Sequence, residues 1–154
     1  MMSKSNYVAL IGGGMVATVT FAIVEFLFEG AVGLFGYNEA AVFQELYPNL
    51  QLEGIAFQFA NILQLLVLMT FAIWLYSSLI PRFGAGTTCA LVVAIAIWFV
   101  YLLVAMNFAR LGILPMNIAL MSLLFNLVEM PLAVLAGSRV YDSAKGRPAV
   151  PARP

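Results

Sequence analysis

The chain has no histidine and a single cysteine in 154 residues. The first absence excludes histidine-ligated haem, most zinc and copper sites, and imidazole acid–base chemistry. The second excludes an intrachain disulfide, a CxxC redox pair and a thiolate cluster, because Cys89 has no second thiol to meet. Charge is scarce too. Only 9% of the residues are Asp, Glu, Lys or Arg, against about 25% in soluble domains. Seven basic side chains balance seven acidic ones, so there is no basic field for nucleic acid. Ser77, Ser78 and Ser122 have no histidine to activate them, and no lysine lies deep in an apolar run to act as base. The composition therefore calls for no cofactor and no metal.

What the chain does have is apolar length. It is 64% hydrophobic, with a mean hydropathy of +1.02. A soluble protein this apolar would precipitate, so its solvent, and its first partner, is the lipid bilayer. A spanning helix needs about 20 mostly apolar residues. Four such stretches are visible, at about 7–34, 55–80, 87–109 and 113–137. The run that follows Asn6 is longer than the 7–15 residues of a signal-peptide core and reads as a retained first helix. Short Pro- and Gly-containing connections (PRFGAG at 81–86, and Arg110–Gly112) force neighbouring spans to run antiparallel. The expectation is an all-α, four-helix transmembrane bundle making one domain over residues 1–144.

Lys4, Arg82, Arg139, Lys145, Arg147 and Arg153 fall on one side of a four-span arrangement, and only Arg110 on the other. The positive-inside rule then places both termini in the cytoplasm, in a membrane we read as a bacterial inner membrane. Tyr7, Tyr76 and Tyr141 fall near the inner interface, Tyr37 and Tyr47 near the outer one. The outer loop, Tyr37–Gly54, can hold a short interfacial helix capped by Asn38 and followed by Pro48, since Val42, Phe43, Leu46 and Tyr47 recur at helical spacing. Residues 145–154, basic and Pro-rich, read as a disordered tail touching anionic head groups.

Polar residues inside the spans are the functional candidates, because a carboxylate at membrane depth costs roughly 2.5–3.5 kcal/mol even on insertion scales. Glu25 and Glu29 are one turn apart on one face of the first span. Gln58, Asn61 and Gln64 step by three along the second, covering a stripe of about 120°. With Asn107 on the third span they lie in the outer part of the bundle, and hydrocarbon should drive such stripes to converge on its axis. That would make an outward-facing polar pocket for a proton, a cation or a basic ligand. Deeper in the fourth span, NLVEMP places Asn126, Glu129 and Pro131 together. Pro131 removes one backbone donor and frees the Leu127 carbonyl, a combination that can hold a proton or cation. Trp74 and Trp98 also lie deep, and their indole N–H groups need acceptors, Glu129 being one candidate.

Two stripes of small residues on the first span, Ala9/Gly13/Ala17 and Gly14/Thr18/Ala22, predict close helix approach. Gly30, Gly33 and Gly36 could let its outer end bend.

Three functions fit these features. The first is a non-enzymatic accessory or self-associating subunit, in a homo-oligomer or a larger membrane complex. The second is a small proton- or cation-coupled transporter or channel using Glu25, Glu29 and Glu129. The third is an intramembrane enzyme on a lipophilic substrate, with a glutamate as lone acid or base.

Overall fold

The computed structural model describes residues 4–34, 39–49 and 54–146. Among them every regular element is a helix: α1 (Lys4–Gly33), α2 (Glu39–Leu46), α3 (Ile55–Phe83), α4 (Thr87–Arg110) and α5 (Met116–Ala144). All but α2 are long and apolar enough to cross a membrane. The fold is the expected four-helix bundle. α1 packs on α3 and α5, and α4 packs on the same two, giving a ring in the order α1–α3–α4–α5. Asn6 meets Lys145 and Phe28 stacks on Phe125, so α1 and α5 run antiparallel. The start of α1, the end of α5 and the 84–86 turn share one end of the bundle, the terminal end. The end of α1, the start of α3 and the 111–115 turn share the other, the loop end.

Several helix limits differ from the pattern in the sequence. α3 does not stop before Pro81 but carries it and ends at Phe83. A proline in the last turn removes only one intrahelical bond, from the Ser77 carbonyl, and Gly84 at φ 77° closes the helix with its N–H on the Ile80 carbonyl. α5 starts at Met116 rather than near 113, because Pro115 disfavours helical backbone before it and loses nothing at a helix start. At its other end α5 runs past Gly137 to Ala144, since Ser138, Tyr141 and Asp142 continue its buried face. The short loop helix is α2, and the Tyr47 hydroxyl just after it donates to the Ile113 carbonyl in the 111–115 turn. Asn38, Tyr37, Gly36 and the tail beyond Gly146 lie outside the described residues.

The helices meet most closely where glycine removes the side chain. A Cβ placed on Gly13 would lie 2.8 Å from the Gly137 carbonyl oxygen, and one on Gly137 would lie 2.5 Å from the Gly13 carbonyl oxygen. Ala9, Gly13 and Ala17 are buried, so this stripe is the α5-facing side of α1. The neighbouring stripe faces α3: Gly14 lies against Thr70, and Thr18, buried, returns its hydroxyl to the Gly14 carbonyl at 2.9 Å. Ala22 is exposed. The small-residue pattern thus packs helices, as expected of it.

Burial is uneven along the bundle. On α1 no described residue beyond Phe21 is buried, and on α3 none before Met69. α4 and α5 bury residues towards the loop end as well, at Ala105, Ile118, Ala119 and Leu123. The core therefore fills the terminal half, and the loop-end half of α3 stands clear of its neighbours.

Candidate functional site

Three groups of polar side chains occupy three depths. At the loop end, Glu25, Glu29, Gln58, Asn61, Gln64 and Asn107 are all exposed. The expected convergence on the bundle axis does not occur. The reason lies in the helix paths rather than in the faces. Asn107 is 18 residues, five full turns, from the buried Cys89, and so shares its face. Gln58 is about 20° from the line of Met69, and Glu25 about 20° from that of Gly14, by the 100° step of a helix. These residues extend faces that are covered at the terminal end and uncovered at the loop end.

Glu129 sits in the middle of α5 and is 1% exposed. It is the only candidate carboxyl the bundle encloses. Pro131 follows it inside the helix. Asn126, half-buried, donates its amide nitrogen to the Ser122 carbonyl at 2.9 Å, one turn back. Trp98 donates to the Leu123 carbonyl at 2.9 Å, which answers its need for an acceptor. Trp74 is 44% exposed and lies outside the core.

The third group was not legible as a site. Asp142 is buried near the end of α5 and accepts a hydrogen bond of 2.5 Å from the buried Tyr76 hydroxyl on α3. The same hydroxyl accepts the Gly86 backbone N–H at 2.8 Å. Tyr141 meets the Tyr76 ring edge-on, with centroids 6.1 Å apart. The Cys89 thiol, also buried, lies 3.7 Å from the Tyr76 carbonyl oxygen. Lys145 donates to the Asn6 side chain beside this cluster and joins α5 to α1. An aspartate therefore lies inside a helix long enough to span, because α5 continues past Gly137 to Ala144. These contacts tie α3, α5 and the α3–α4 turn into one closed end, and they position helices rather than present groups to a ligand.

Among the described residues, no group of three or more His, Cys, Asp or Glu side chains could hold a metal ion. A scan against protein-family models, a search of curated proteins and a search of solved structures all find no match to this chain.

Proposed function

We propose that the protein is a non-enzymatic integral membrane subunit that self-associates or joins a larger membrane complex through the loop-end halves of α1 and α3. One observation carries the reading: polar side chains stand exposed at membrane depth on helices that are otherwise apolar. Gln64 lies nine residues, roughly 13 Å, inside the loop end of α3. Transferring an amide to a medium that cannot hydrogen-bond costs about 4–8 kcal/mol. Another protein surface with donors and acceptors removes that cost, and lipid tails do not. Native mass spectrometry from mild detergent is expected to release the chain as several copies or with a partner. A strictly monomeric chain under conditions that keep the bundle folded would overturn the proposal.

The distribution of basic residues supports the same orientation in the membrane as before, with both termini in the cytoplasm of a bacterial cell. Arg82, Arg139 and Lys145 gather at the terminal end and Arg110 stands alone at the loop end.

The enclosure of Glu129 favours a second reading, a proton- or cation-coupled carrier. Under it, Glu129→Gln abolishes pH-dependent flux in proteoliposomes, whereas under the subunit reading the variant assembles normally and no flux exists to lose. We expect the latter, with assembly mass and bundle stability close to those of the parent chain.

A further inference from the structure

We infer that the partner covering α3 is a second copy of this chain, packed in parallel about a two-fold axis along the membrane normal, with Asn61 and Gln64 of each copy facing their own counterparts. The inference rests on the assembly reading above and names its partner.

The chemistry of the stripe selects the occupant. Gln58, Asn61 and Gln64 are all amides, exposed along one side of α3. An amide carries both a donor and an acceptor, so it pairs with a copy of itself. A two-fold axis parallel to the helix brings each residue against the same residue of the other copy, which is the arrangement a self-complementary patch requires. A stripe of carboxyls or of lysines would repel its own image. Asn107, exposed near the loop end of α4, is a further amide at that end of the bundle. The exposed carboxyls Glu25 and Glu29 are on α1, outside the row that would meet itself.

The apolar surroundings suit the same contact. Leu68 and Phe71 are exposed on the same stretch of α3, one and two turns beyond Gln64. They extend the strip from amides into side chains that gain dispersion contacts against a second helix. Nearer the terminal end, Thr70 and Ile73 of α3 are already occupied by α1. From Gln58 to Gln64 every side of α3 is exposed, and the amides mark the side on which a hydrogen-bonding partner gains most.

Disulfide trapping in native membranes tests this directly. Cys89 is fully buried, so the parent chain supplies a background without an exposed thiol. Under mild oxidation Asn61→Cys and Gln64→Cys are each expected to run mainly as covalent dimers, and Leu91→Cys, exposed on α4, to remain monomeric. Replacing both amides by leucine is expected to weaken dimerisation in detergent about tenfold or more, from the loss of interhelical hydrogen bonds on both copies. Because both positions are exposed, these variants keep the folded bundle, which a thermal midpoint equal to the parent's confirms. Absence of trapping at both positions, with a larger hetero-complex seen by native mass spectrometry, overturns the homodimer and leaves the assembly reading standing. Absence of trapping with a monomeric mass overturns both. Trapping at position 61 alone overturns the parallel arrangement, since an axis in the membrane plane would bring residue 58 of one copy against residue 64 of the other.

Discussion

Gly137→Ala is expected to destabilise the bundle by about 3 kcal/mol, at the upper end of the range for overpacked cores, and Gly137→Leu to prevent stable folding. The added Cβ would stand 2.5 Å from the Gly13 carbonyl oxygen, 2.8 Å from Ile73 Cδ1 and 2.9 Å from Ala17 Cβ. Ile73 can rotate away. The Gly13 oxygen is backbone in the middle of α1 and yields only if the two helices separate. Separation there is costly, because the contact is reciprocal and Cα–H groups can donate weakly to the opposing carbonyls. Gly12 supplies the control, being one residue away in the same helix with nothing within 4 Å of an added Cβ. Gly12→Ala is therefore expected to leave stability unchanged or raise it by up to about 1 kcal/mol through helix propensity. Thermal unfolding in one detergent reads both. Equal midpoints for the two alanine variants would show that α1 and α5 do not cross at these glycines.

The neighbouring glycines Gly13 and Gly14 show how far the sequence could be read. Spacing alone assigns Gly13 to a stripe with Ala9 and Ala17, and Gly14 to another with Thr18. It does not say that the first meets α5 and the second α3, since an apolar helix presents suitable surface on every side. The number of spans follows from hydropathy, because hydrocarbon thickness sets a length that the chain repeats four times. The loop-end polar residues were visible as stripes, and in the structure they are exposed rather than turned onto a shared axis. Whether a neighbour covers such a face depends on how far along each helix the packing extends, and no local pattern encodes that. Asp142 was hidden for a different reason. After Gly137 the sequence SRVYDSAK loses hydropathy and reads as an interfacial exit. The available signal was the i,i+4 step from Val134 to Ser138 and from Gly137 to Tyr141, which carries the buried face one further turn.

That extra turn sets up the second large effect, the loss expected in Tyr76→Phe. The substitution keeps the ring and its edge-on contact with Tyr141, so only the hydroxyl is removed. Two interactions end at that oxygen: donation to Asp142 at 2.5 Å and acceptance from Gly86 N–H at 2.8 Å. Taking a hydrogen-bond partner from a buried polar group costs about 1–3 kcal/mol, and more where the group is charged, so about 2–4 kcal/mol is expected in total. Tyr76→Ala adds a cavity on top of this. Asp142→Asn retains an acceptor oxygen for the hydroxyl and is expected to cost less than Tyr76→Phe. Hydrogen exchange separates the clamp from general loosening. The Gly86 amide, held by the hydroxyl, is expected to exchange at least about tenfold faster in Tyr76→Phe, by the usual 1.4 kcal/mol per decade. The Gly84 amide, bonded to the Ile80 carbonyl at 2.8 Å within the same turn, should keep its protection relative to the rest of α3. If the two amides accelerate together, the helix end has frayed as a whole and the hydroxyl does not clamp the turn. If neither moves and the thermal midpoint holds, α3 and α5 are joined at this end by packing alone.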